Sequence, residues 1–156
     1  MQSKIKIFII FTAIPLLVGI IAGLLTRGSM ETFSRLNQPP LSPPGILFPI
    51  VWTILYTLMG IASYLVYTAN APKEDINNAL LIYFLQLAVN FFWSIFFFNF
   101  EWYIFSFFWL VLLWILIFYT IRLFYPISNT AAYLLIPYLL WVTFAGYLNY
   151  GVFLLN

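Results

Sequence analysis

Gln86, Asn90 and Ser94 follow one another at four-residue intervals inside an otherwise apolar stretch, with Tyr83 and Trp93 beside them. On a helix that spacing puts the three polar groups on one face. Two other apolar stretches carry similar side chains. Trp52 and Tyr56 lie four apart, as do Trp141, Ala145 and Asn149, with Pro137 one turn before Trp141 and the small Ala145 and Gly146 leaving room beside its ring. Together these side chains offer aromatic faces, a few N–H and O–H donors and carboxamide acceptors, which suits a flat, largely apolar ligand. A carboxamide in hydrocarbon is costly unless hydrogen-bonded, so the Gln86–Asn90–Ser94 face must point into a bundle. Two readings stay open for it: glue between helices, or ligand contact. Trp102, next to Glu101, reads as an interfacial anchor. Trp109 and Trp114 have no polar neighbours in their stretch and read as lipid-facing or plain packing residues.

Other chemistry is excluded by what the chain lacks. It has no cysteine and no histidine, which removes disulfides, zinc and iron–sulfur sites, histidine-held haem and histidine acid–base catalysis. No pair of carboxylates falls inside an apolar stretch, and no nucleophile–base pair or phosphate-binding loop is visible, so no conventional catalytic constellation, metal site or obligatory cofactor is expected. All ionisable residues sit at the ends of the stretches, which argues against a proton-coupled pump. A net charge of +2 gives no hold on nucleic acid.

The elements that position these residues follow from hydropathy. Of 156 residues 65% are hydrophobic and 6% charged, where a soluble domain has about a quarter charged. The charges divide the chain into uncharged stretches, each long enough for a helix of about 20 apolar residues. The fold class expected is an all-α membrane protein: a five-transmembrane-helix bundle in one domain, residues 1–156, with spans near 7–26, 45–68, 78–99, 103–123 and 130–153. A barrel would need strands of alternating polarity, and the run from Trp109 to Phe118 does not alternate. The first span is too long for the apolar core of a signal peptide and reads as a retained helix. Lys4, Lys6, Lys73 and Arg122 then share one side against Arg27 and Arg35, which places the N-terminus in the cytoplasm.

The connection 27–44 is long and ends in prolines. Pro39 and Pro40 impose extended backbone before them, and Ser42-Pro43-Pro44-Gly45 reads as a serine-capped helix start. The bland reading is that these prolines only separate two helices; the sharper one is a stiff flap over a cavity at one end of the bundle. Pro49 falls inside the second span, where it would free the Gly45 carbonyl and kink the helix beside Trp52. Gly19 and Gly23 form a GxxxG that permits close helix approach, within one chain or between two.

These stretches carry a family likeness. Pro39-Pro-Leu-Ser-Pro-Pro-Gly45, then Phe48-Pro-Ile-Val-Trp52 and Tyr56, resembles the signature of the TspO/translocator protein family, also called tryptophan-rich sensory proteins or peripheral benzodiazepine receptors. Leu85 to Ser94 resembles the family's third-helix motif, and Leu135 to Trp141 with Phe144 to Asn149 its fifth-helix motif. The resemblance implies a five-helix bundle in a bacterial cell membrane, dimeric, with a pocket beneath the first loop that binds porphyrins such as protoporphyrin IX. It implies that Trp52, Tyr56, Asn90, Trp93, Trp141, Ala145 and Leu148 line that pocket, that Pro39, Pro40, Pro43, Pro44 and Gly45 form its flap, and that Trp52 and Trp141 are candidates for light-dependent porphyrin breakdown. Passive transport of porphyrins is the alternative function. Leu41 stands where the family often has tryptophan, and no Lys or Arg follows Arg122, so sterol binding through the C-terminal segment is not expected. Arg27 or Arg35 would meet the propionates.

Overall fold

A computed structural model describes residues 2–156, with side chains from Ser3 onward. The order is α1 (Gln2–Thr26), a 3-10 turn (Arg27–Ser29), α2 (Met30–Ser34), α3 (Leu47–Tyr67), α4 (Lys73–Ser94) continued by a π-helical turn (Ile95–Asn99), α5 (Tyr103–Phe124), α6 (Asn129–Leu134) and α7 (Ile136–Leu155). No strand occurs among the described residues. In hydrocarbon every backbone N–H and C=O must be paired within the segment, which leaves the helix as the form for these apolar runs. Five helical stretches are long and apolar enough to cross a membrane: Ser3–Ser34, Leu47–Tyr67, Lys73–Asn99, Tyr103–Phe124 and Asn129–Leu155. The last is interrupted at Leu135, because Pro137 enters the first turn of α7 and has no N–H to continue α6. The number of spanning helices is the five expected, with α1 and α4 each beginning five residues ahead of the spans read from hydropathy.

α3 packs on α1, α4 and α6; α5 packs on α4 and α7; α1 is peripheral, its main partner α3. The end of the bundle away from the first loop is solid. Met59, Ala62, Val66, Ala79, Tyr83, Leu113, Ile117, Phe124 and Ala131 have no accessible surface. One close approach, of α3 to α1, is set by backbone. Pro15 has no N–H, so the Phe11 carbonyl one turn earlier loses its helical donor. Gly60 of α3 lies against that spot: a Cβ there would fall 2.5 Å from Thr12 Cα and 2.9 Å from the Phe11 oxygen.

Three local expectations are corrected. α3 begins at Leu47, so Pro49 stands in its first turn, where a missing N–H is no loss. The Gly45 carbonyl accepts from Phe48 N at 3.3 Å, and the kink expected at Pro49 has no cause. The Ser42 hydroxyl donates to the Pro39 carbonyl (2.7 Å) instead of capping α3, which has no side-chain cap. Finally, the 27–44 connection is not all loop: its first half folds into the 3-10 turn and α2. Leu41 (φ 70°) and Glu101 (φ 57°) take left-handed backbone in the segment before α3 and in the α4–α5 connection.

Gly60→Ala is expected to destabilise the bundle by about 1–3 kcal/mol, the range for forcing extra atoms into a packed site. Gly23→Ala, whose Cβ would meet nothing within 4 Å, should change stability by less than about 0.5 kcal/mol. Thermal unfolding in detergent, followed by helical circular dichroism, checks both.

Candidate functional site

At the first-loop end the helices do not close on one another. A cavity of about 580 Å³ lies between α1, α3, α4 and α7, beneath the segment Arg27–Phe33. Trp52, Tyr56, Asn90, Trp93, Trp141, Ala145 and Leu148 all line it, as do Ser94 and Asn149. Side chains far apart in sequence thus meet in one hollow, of a size that takes a drug-sized ligand.

Its walls are aromatic. The Trp52 ring stacks on Tyr56 (centroids 5.4 Å apart, 29° between planes) and meets Tyr138 edge-on (6.2 Å). Trp141 meets Phe48 edge-on at 5.9 Å, and Trp93 stacks on Phe97 at 5.3 Å. The π-helical turn makes the second of these contacts: its extra residue per turn brings Phe97 and Phe98 round to the cavity alongside Trp93.

The floor is a chain of hydrogen bonds through three helices. Tyr56 OH (α3) donates to Asn90 Oδ1 (α4) at 2.8 Å; Asn90 Nδ2 donates to Tyr138 OH (α7) at 2.7 Å; Tyr138 OH donates to Gln86 Oε1 (α4) at 2.7 Å. Beside it Trp93 Nε1 donates to Asn149 Oδ1 (3.0 Å), and Asn149 Nδ2 donates to the Tyr103 carbonyl (2.7 Å). Of the two readings left open for the polar face of α4, Gln86 therefore joins helices at depth, while Asn90 both joins helices and faces the cavity. Ser94 bonds its own helix, at the Phe91 carbonyl.

Most donors at the cavity are already committed. The hydroxyls of Thr26, Thr53 and Ser94 donate to carbonyls of their own helices. Three side chains at the cavity keep N–H groups without a partner among the described residues: Trp52, Trp141 and Arg27. Trp141 Nε1 is shielded from solvent and has no hydrogen-bond partner among the described residues. Arg27 lines the cavity at the loop end, whereas Arg35 is paired with Glu31 at 2.7 Å on the exposed surface. Among the described residues no carboxylate lines the cavity. The free polar groups at the cavity are therefore N–H donors, complementary to an acceptor deep inside and an acidic or acceptor group at the rim.

The flap differs from expectation. Pro39, Pro40, Pro43, Pro44 and Gly45 do not line the cavity; Arg27, Met30 and Phe33 cover it instead. The proline segment runs over the C-terminal half of α7. Pro39 sits on Gly151, where a Cβ would fall 2.5 Å from the proline ring. Tyr147 OH donates to the Pro40 carbonyl at 2.6 Å, and Asn156 Nδ2 to the Asn37 carbonyl at 2.8 Å. Trp109 and Trp114 are also corrected: their indoles donate to the Val89 carbonyl and Thr143 Oγ1, both at 2.8 Å, and so tie α5 to α4 and α7. Trp102 is exposed at the start of α5, as an anchor should be. Of the GxxxG, Gly19 packs within the chain, on the Tyr56 ring, and Gly23 has no neighbour within 4 Å.

Sequence reasoning missed Tyr138, Phe33, Phe48 and Phe97. Tyr138 had a usable signal: with Trp141, Ala145, Leu148 and Val152 it follows helical spacing along one face of α7. Phe33 lies in the short α2, Phe48 in the first turn of α3 and Phe97 in the π-turn, where element ends set the direction and periodicity does not encode it.

A five-span helical membrane protein with an aromatic, donor-bearing cavity beneath its first loop is the class that fold and site define. The chain belongs to the TspO/MBR family, whose model matches residues 11–155. It is 40% identical over 124 residues to the tryptophan-rich protein TspO of Chlorobaculum tepidum, covering 80% of this chain and 78% of that protein. It is 35% identical over 142 residues to a tryptophan-rich protein TspO of Archaeoglobus fulgidus (90% and 91%), and 34% identical over 146 residues to the translocator protein of Bos taurus (90% and 84%).

Tyr138→Phe should cost about 1–3 kcal/mol of stability, since it leaves the buried Asn90 Nδ2 and Gln86 Oε1 without their partner. Tyr147→Phe, which removes one bond at the exposed loop, should cost about 1 kcal/mol or less. Unfolding of the two variants side by side in one detergent reads the difference.

Proposed function

We propose that this protein is an integral membrane binding and sensing protein for tetrapyrroles of the protoporphyrin IX type and similar flat hydrophobic ligands. The observation that carries the reading is the unpartnered Trp141 N–H in the wall of an aromatic cavity. A buried donor without a partner is costly to leave in a folded protein, and a ligand acceptor relieves that cost. Aromatic faces at Trp52 and Trp141 suit the faces of a macrocycle, and Arg27 suits an acidic substituent at the rim, where its charge acts through a partly wet medium.

Sensing and translocation are named in this chain's relatives, a tryptophan-rich sensory protein of Cereibacter sphaeroides and the bovine translocator protein. For this chain, binding is favoured over passage by one feature. The cavity ends on the hydrogen-bonded floor, and the core of the bundle below it, including Met59, Val66, Leu113 and Ile117, has no accessible surface. A ligand that enters is retained rather than passed through. Trp52 and Trp141 are also placed to exchange an electron with a photoexcited porphyrin, which keeps light-driven breakdown as a second activity of the same complex.

Titration of the purified protein with protoporphyrin IX should quench indole fluorescence saturably. Trp141→Phe should weaken that binding about tenfold, the loss of one desolvated hydrogen bond plus ring contact. Arg27→Gln should weaken it by a smaller factor that shrinks as salt is raised. Absence of saturable quenching in the parent protein would remove the ligand assignment.

A further inference from the structure

The facing stripes of α1 and α3 can be followed from one end of their seam to the other. Toward the solid end they interlock: Gly60 sits on the Phe11–Thr12 backbone, and Gly19 on the ring of Tyr56. The same stripes continue as Gly23 and Arg27 on α1, and as Thr53 and Pro49 on α3. All four of these residues line the cavity, and all four are exposed. A Cβ on Gly23 would meet nothing within 4 Å. The seam therefore parts beyond the Gly19–Tyr56 contact. No other wall does the same: the α7 residues at the cavity are buried or half-buried, and so are those of α4 and its π-turn.

The water-facing side is fastened. Phe33 of the covering segment packs edge-on against Phe48, Phe97 and Phe98 with centroids 5.4–6.2 Å away. Asn99, carried by the π-helical turn, donates from Nδ2 to the Leu25 carbonyl at the end of α1 (3.0 Å) and accepts from Ser29 Oγ (2.7 Å). That clamp holds the end of α1 and the 3-10 turn over the cavity.

We propose that the cavity is loaded sideways, from within the bilayer, through the parted α1–α3 seam, rather than from water through the first loop. The inference rests on the reading of the cavity as a ligand site and narrows the ligand class. It must be an amphiphile that partitions into the bilayer, with an apolar body that slides past Gly23 and Thr53 and an acidic edge that stays level with Arg27 at the rim. The GxxxG then has two jobs: Gly19 closes the seam and Gly23 keeps it open.

The chain has no cysteine, so a single thiol can be placed on the far wall as Ala145→Cys and its modification timed in lipid vesicles. Comparing variants at the same thiol controls for its low reactivity in an apolar site. Bilayer-soluble N-phenylmaleimide should react faster than a sulfonate-bearing maleimide confined to water. Gly23→Phe and Thr53→Phe, which fill the gap from opposite walls, should each slow the apolar reagent about tenfold, while Asn99→Ala leaves that rate within about twofold. Equal rates for the two reagents would overturn the proposal, as would an apolar-reagent rate that both Phe variants leave unchanged and Asn99→Ala raises. Protoporphyrin IX quenching, measured on the same vesicles without the thiol, reports separately on the ligand assignment, so failure of one is told apart from failure of the other.

Discussion

The hydrogen-bond chain Tyr56–Asn90–Tyr138–Gln86 is the interaction on which the rest of the structure depends. Lipid tails are as apolar as the side chains they would replace, so apolar contact alone gives helices little reason to keep a fixed separation. A carboxamide buried in hydrocarbon does give one, because it loses several kcal/mol if its partners move away. Asn90 is bonded on both sides of its amide, to α3 and to α7, and Tyr138 passes the constraint on to Gln86. The chain fixes three helices at a spacing that their packing need not fill. Below it the bundle collapses into a solid core; above it the same spacing leaves a hollow. Trp93 and Asn149 repeat the arrangement higher in the cavity wall, tying α4 to α7 and, through the Tyr103 carbonyl, to α5.

Aromatic rings then do what aliphatic side chains would do poorly. Phe48–Trp141 and Trp52–Tyr138 bridge α3 and α7 edge-to-face, holding the wall with rigid groups that have few rotamers to lose. Flat rings also leave flat faces toward the cavity. The first loop has two parts with different attachments. Its second half is bonded to α7 through Asn37 and Pro40 and packs Pro39 on Gly151, and its first half is held by Phe33 and Asn99. Prolines suit the pinned half, since an extended segment with few N–H groups needs few partners.

Much of the fold was legible in the sequence because one term dominates it. Ten charges at the ends of long apolar runs leave a membrane bundle as the workable solution, and the helix count follows. The convergence of Trp52, Asn90, Trp93 and Trp141 was legible too, from four-residue spacing and from the family likeness. What escaped the sequence depends on where helices start and how they end. Whether Pro49 kinks a helix or begins one turns on a shift of two residues, which tertiary packing decides. The direction of Phe97 and Asn99 depends on a π-turn that propensity does not announce. Tyr138 is one of eleven tyrosines, and its type carries little signal; its spacing with Trp141 and Ala145 places it on the cavity face of α7, while its bonds to Asn90 and Gln86 depend on the fold.

The most direct measurement is a structure of the protein with protoporphyrin IX in lipid. The account predicts the macrocycle in the cavity between the Trp52 and Trp141 rings, with an acceptor atom within hydrogen-bond distance of Trp141 Nε1 and a carboxylate toward Arg27. A macrocycle seated instead in the apolar groove of about 390 Å³ between α5 and α7, with the first-loop cavity unchanged, would contradict it.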